Sequence, residues 1–108
     1  MPNYPNPTPL GYVTIAAAEV QVISNFPAYT DLTAKMIDFQ ADINNGAAIG
    51  IGYSGLSLVT GVNLLKVLQP GESWSLTDPT AAGPFNVVAL YLHGTNAGDR
   101  VLAVSYVN

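Results

Sequence analysis

The stretch "KMIDFQADINNGAAIGIGY", Lys35 to Tyr53, holds two short apolar runs separated by Asn and Gly. In the first, Ile37, Phe39, Ala41 and Ile43 alternate with Asp38, Gln40 and Asp42, so one face belongs to a core and the other to solvent. In the second, Ile49, Ile51 and Tyr53 share a face, and Ala48, Gly50 and Gly52 share the opposite one. Glycines at alternate strand positions predict that another backbone approaches them closely. Asn44 to Gly46 tolerate the positive φ of a tight turn, which predicts a hairpin between the two runs.

The same period of two recurs outward from this centre. Strands are predicted at "YVTIAA" from Tyr12, "EVQVIS" from Glu19, "NLLKVL" from Asn63, "ESWSLT" from Glu72, "FNVVALYLHG" from Phe85 and "RVLAVSYVN" from Arg100. With the central pair this makes about eight runs, enough for the two sheets of a sandwich or jelly roll. The predicted fold is all-β: a single antiparallel β-sandwich, jelly-roll-like, over residues 11–108, preceded by an extended Pro-rich arm over 1–10. One helical turn is expected in "FPAYTDLTAKM", with Asp31 as its cap. "HGTNAGDR", His93 to Arg100, predicts a second hairpin. The strands flanking it read as apolar on both faces, and the outward face then needs cover from a neighbouring subunit, an arm or a loop, unless the strands are central and fully buried within one domain. Ala89, Tyr91, Ala103 and Tyr106 are the candidates for a subunit interface.

Charged residues make up 9% of the chain and apolar ones 49%, against about 25% charged in ordinary soluble domains. A surface so poor in charge is covered by Ser, Thr, Asn and Gly or buried against other chains. The net charge of −4, with cations only at Lys35, Lys66 and Arg100, argues against nucleic acid, whose phosphates require clustered cations. Apolar runs such as "VVALYL" fall far short of the roughly 20 residues that span a bilayer, and no basic amphipathic helix is present, so no membrane partner is expected. The N-terminus lacks the cation and apolar core of a secretory signal. Without cysteine there is neither disulfide nor thiolate metal site.

Little of the remaining chemistry points to catalysis or a cofactor. His93 is the only histidine, and a hydrolase would need it beside Ser57 or Ser105 and Asp99; a strand-end histidine is the plainer reading. Asp38, Asp42 and Asn44 lack the spacing and bidentate Glu of a calcium loop, which leaves a turn. "IGIGYSG" does not lead from a strand into a helix and is no dinucleotide fingerprint. Trp74 alternates with Ser73 and Ser75, the pattern of a core-facing side chain rather than a sugar-stacking platform.

From Met36 to Val107, the order "MIDFQAD", Asn/Gly turn, "AIGIGYSG", "VTGVNL", "LQPGESWSL", long apolar strand, "TNAGDR" and "VLAVSYV" resembles small β-sandwich proteins of tailed-bacteriophage virions. The matching pieces in that group are "I..DP.N.G.IYVG.SGV", "L.PGES..L" and "G..V..LY". The resemblance implies a non-enzymatic capsid decoration, cement or head-fibre protein on the virion exterior, assembled in the host cytoplasm. It further implies the major capsid protein as partner, self-association as a trimer, and no cofactor. A carbohydrate-binding module at a fibre or spike tip is the alternative. The arm "MPNYPNPTPL" is pre-extended by its prolines, which lowers the ordering cost of laying it across a neighbour. Pro2, Tyr4, Pro5, Pro7 and Pro9 are its candidate contacts, with Tyr4 the best anchor; the other reading is a loose terminus.

Overall fold

The computed structural model describes residues 8–15, 19–29, 31–77 and 85–107, with the side chains of Asn25, Pro27 and Ala103 excepted. Its strands are β1 (Thr8–Thr14), β2 (Glu19–Gln21), β3 (Thr33–Ala34), β4 (Met36–Ala41), β5 (Ile49–Gly52), β6 (Leu64–Leu68), β7 (Ser73–Thr77), β8 (Phe85–Asn86), β9 (Tyr91–Gly94) and β10 (Arg100–Val107). One four-stranded sheet has the order β1-β10-β4-β7 and the other β2-β9-β5-β6; β3 and β8 form a short pair by themselves. Every pairing is antiparallel.

If the short pair is set aside and the other eight strands are counted in chain order, the two sheets read 1-8-3-6 and 2-7-4-5. That is the double Greek key of a jelly roll. The chain changes sheet at every connection between these strands except β5 to β6. The reason lies in the alternation. Ile37, Phe39 and Ala41 on β4 face Ile49 and Ile51 on β5 across the core, and all five are buried. Val13, Ile15, Val101 and Val104 join them from the first sheet, and Leu68 and Leu92 from the second. Each large aliphatic side chain removed from water contributes about 1.5–3 kcal/mol.

The two predicted hairpins are therefore corners between sheets. In the "NNG" stretch none of Asn44, Asn45 and Gly46 takes positive φ, so the tight primed turn that would fold β5 back onto β4 does not form. In "HGTNAGDR", Gly98 has φ +94°, but its N–H donates to Ile15 O at 2.9 Å and Asp99 O accepts from Ile15 N–H at 2.7 Å. That loop is held by the chain leaving β1. "QPGE" does form a β-turn: Glu72 N–H donates to Gln69 O at 3.0 Å across Pro70 and Gly71, with Gly71 at φ +83°.

The doubly apolar strands also resolve within one chain. Val87–Ala89 is a 3-10 turn that separates β8 from β9, so Val87 and Leu90 are buried and Val88 and Ala89 face outward. On β10 the register slips between Val101↔Ala41 and Ala103↔Gln40. This bulge turns both Val101 and Val104 inward and leaves Leu102 exposed. Val88 and Leu102 remain as exposed apolar side chains on these strands. The expected helical turn is shorter and earlier than predicted: 3-10 turns cover Val22–Asn25 and Pro27–Tyr29, and Thr33–Ala34 is already strand.

Candidate partner-binding surface

The β4–β5 and β9–β10 connections meet at one end of the sandwich, where polar side chains lock them together. Asp99, buried, accepts Gly46 N–H at 2.9 Å on Oδ1 and Ala47 N–H at 3.1 Å on Oδ2. Asn45 brackets Arg100, its Oδ1 accepting the Arg100 N–H at 2.8 Å and its Nδ2 donating to the Arg100 carbonyl at 2.9 Å. The Arg100 guanidinium then reaches Asp42 Oδ2 at 2.6 Å and lies over the Tyr12 ring, 5.6 Å from its centre.

Asp42 also accepts Asn44 N–H at 3.0 Å, so the acidic "DINN" stretch is a turn, as read from its spacing. The Asn44 N–H, and after it Arg100, hold the Asp42 carboxyl below the usual carboxylate range, against the opposing effect of burial. A carboxyl with a lowered folded-state pKa adds stability that is complete above its unfolded value and is lost as pH falls through the folded one. Asp42→Asn should therefore flatten the acid limb of the stability–pH curve below about pH 4. Urea midpoints measured down the acid range check this; parallel curves for the two proteins would refute it.

The opposite end carries the 53–63 connection between β5 and β6, which folds back over the outer face of its own sheet. Leu56 is buried there, and a Cβ added to Gly50 would lie 2.7 Å from Leu58 and 3.1 Å from Leu56. At Gly52 the obstacle is the main-chain carbonyl of Asn63. The backbone approach predicted from the glycine spacing is thus found at Gly52, while Gly50 is covered by side chains of the segment that follows. Hydrogen bonds fix the loop's tip. Ser57 Oγ accepts Val59 and Thr60 N–H at 3.2 and 3.1 Å, Ser57 N–H donates to Val62 O at 2.9 Å, and Gly61 N–H donates to Ser57 O at 3.0 Å. From this ordered tip Val59 stands 95% exposed and Val62 55% exposed.

No protein-family model, curated protein or solved structure matches this chain.

Of the arm candidates, Pro2, Tyr4, Pro5 and Pro7 lie outside the described residues. Pro9 is in β1, opposite Ser105 on β10, so the Pro-rich stretch ends inside the sheet and Thr8–Leu10 belong to the sandwich. Ala89 is exposed on its 3-10 turn, and with Tyr53, Leu76 and Phe85 it lines a cleft of about 350 Å³. Tyr91 is half-buried on β9 opposite Gly52. Tyr106 is turned toward the core and meets Tyr29 edge-on at 6.1 Å. The Ala103 side chain lies outside the described residues.

His93 is half-buried on β9, opposite Glu19 and Gly50. Ser105 is in the other sheet, and the Asp99 carboxylate is occupied by Gly46 and Ala47. Trp74 packs toward the core and stacks on Phe39, with ring centres 6.5 Å apart. No cluster of three potential metal ligands, and no helix long and apolar enough to cross a membrane, occurs among the described residues.

Sequence reading missed Val59 and Val62. In "LSLVTGVNLL" nothing separates them from the buried or half-buried Leu56, Leu58 and Leu64, because the loop has no period. The one available signal was the "VTG" turn between a hydroxyl and a glycine.

Proposed function

We propose that this chain is a structural virion protein that decorates or cements a bacteriophage capsid, binding neighbouring subunits of the major capsid protein and associating with itself. The observation that carries the reading is the ordered display of Val59 and Val62 on a charge-poor protein. An apolar side chain held in water by a pre-ordered loop releases unfavourable hydration when it docks and loses little conformational freedom in doing so. Thr8, where the Pro-rich stretch enters the sheet, pairs with Tyr106, at the same end of the sandwich as this loop. The start of β1 and the loop thus share one end of the sandwich, which supports a single partner surface, and with three cations in the whole chain that surface is read by shape and apolar contact.

The test is to add the purified protein to undecorated capsids and look for saturable, symmetric density by electron microscopy. Val59→Asp and Val62→Asp should each weaken binding about tenfold or more, as expected for apolar anchors at the centre of an interface, without lowering the melting temperature. Removal of residues 1–7, which leaves β1 intact, should weaken it too. Absence of density would sink the proposal.

One observation favours the second reading, a carbohydrate-binding module. A groove of about 220 Å³ on the outer face of the first sheet is lined by Asp38, Gln40, Ser73, Ser75 and Ser105, a set of hydroxyl, amide and carboxylate groups suited to sugar hydroxyls. Glycan-array binding without capsid binding would select it.

A further inference from the structure

Each sheet has two outer edges, and exposed edges invite pairing with other chains unless something blocks them. Three of the four carry such a block. β1 has Pro9, which has no N–H to offer, and register breaks on both sides of Gly11. β2 is three residues long and carries Glu19. β6 carries Lys66 at its middle. β7 has none of these devices: Ser73, Trp74, Ser75, Leu76 and Thr77 contain no proline, glycine or charge. Its register against β4 runs unbroken from Met36↔Thr77 to Gln40↔Ser73. Among the described residues β7 pairs with β4 alone.

We propose that β7 is the surface by which two copies of this chain associate, pairing antiparallel with β7 of a second copy about a two-fold axis at Ser75. The sequence of the strand argues for a copy of itself as the occupant. In an antiparallel pair, directly opposed residues share a face. Of the registers that keep Trp74 and Leu76 on the core side in both copies, the one centred on Ser75 pairs all five residues. Ser75 then meets its own counterpart, Trp74 meets Leu76 of the second copy, and Ser73 meets Thr77. Apolar groups oppose apolar groups, and hydroxyls oppose hydroxyls. Trp74 and Leu76, each half-buried in the single chain, lose their remaining exposure.

Net charge does not oppose the contact. Asp38, which accepts the Ser75 hydroxyl, is one strand inside each edge, so the two Asp38 carboxylates lie about 14 Å apart, three inter-strand spacings. Physiological salt screens charges beyond about 8 Å. Glu72, at the end of the ladder, is turned back onto the Gln69 N–H at 2.7 Å. A single pair of five-residue strands is at the small end of specific interfaces, so the dimer forms at micromolar concentrations and above. The inference rests on the proposed self-association only in naming its surface, and it gives a two-fold dimer in place of the trimer implied by the resemblance.

Sedimentation velocity on the full chain, from micromolar to hundreds of micromolar, should show a shift from one to two chain masses, accompanied by a change in the emission of Trp74, the chain's one tryptophan. The register is read by cysteines introduced into a chain that has none. Ser75→Cys should oxidise to a covalent dimer, its sulfurs being directly opposed. Ser73→Cys should not, because those residues are offset by four positions, about 13 Å, beyond disulfide reach. Ser75→Lys keeps an opposite charge beside Asp38 within the chain but opposes two lysines across the axis, and should raise the dimer dissociation constant about fivefold or more. The proposal is overturned by a monomer at every concentration, by a trimer, by failure of Ser75→Cys to cross-link, or by Ser73→Cys cross-linking equally fast. Capsid binding is assayed separately, so its failure leaves this result standing.

Discussion

Asp99→Ala is expected to destabilise the fold by about 3 kcal/mol, because two partly buried N–H groups lose a charged acceptor and gain none. The donors are Gly46 and Ala47, which belong to the β4–β5 corner, and Asp99 belongs to the β9–β10 corner. One carboxylate therefore ties together two connections more than 50 residues apart in sequence. The main-chain bonds between Ile15 and residues 98 and 99 do not involve the side chain and should survive. Asp99→Asn, with one oxygen left to accept, should fall between the parent and the alanine variant. Urea unfolding gives the comparison. If Asp99→Ala stays within about 0.5 kcal/mol of the parent, as ordinary surface changes do, the corners are held by the main chain alone.

Gly52→Ala is the second large effect, again about 3 kcal/mol, at the upper end for overpacking. The added Cβ would overlap the carbonyl oxygen of Asn63 and come within 3.1 Å of Leu64 Cα, and main chain cannot rotate away as a side chain can. That carbonyl also accepts Tyr53 N–H at 2.9 Å, so relief of the overlap breaks the bond that closes the 53–63 loop. Gly50→Ala should be milder, since its nearest obstacle is the end of the Leu58 side chain. Gly61→Ala meets no atom within 4 Å but sits at φ +77°, and should cost about 1 kcal/mol through backbone strain. Thermal melts rank the three. An order with Gly61 as the most sensitive position would show that the loop is not packed on Gly52. If Gly52→Ala also weakens partner binding beyond its effect on stability, the displayed positions of Val59 and Val62 depend on that packing.

The sequence by itself determined the class of fold and the in–out assignment of its most regular strand as far as Ala41; beyond the end of β4 the alternation fails, and Ile43, read as core, is exposed while Asp42, read as solvent-facing, is buried. Ile37, Phe39 and Ala41 had to share a face because strand geometry alternates side chains, whatever lies across from them. The Gly50/Gly52 spacing announced a close approach for a reason equally local, the absence of a Cβ. Trp74 was legible as core-facing from its serine neighbours.

Which strand pairs with which was not legible, because the same alternation serves a hairpin partner and a strand in the opposite sheet. The outcome turned on backbone signs at Asn44 to Gly46, and on bonds from Asp99 and Asn45 to residues far along the chain. The apparent double apolarity of β10 misled for a related reason. A one-residue bulge at Leu102 shifts every later side chain to the other face, and only the ladder with β4 shows where it falls. Val59 and Val62, Leu56 and Leu58 are alike in composition, and what separates them is whether the folded loop turns each toward Gly50 or toward water. The edge status of β7 is likewise a property of sheet order: "SWSLT" reads the same at a centre or a rim, and among the described residues the topology gives it one partner.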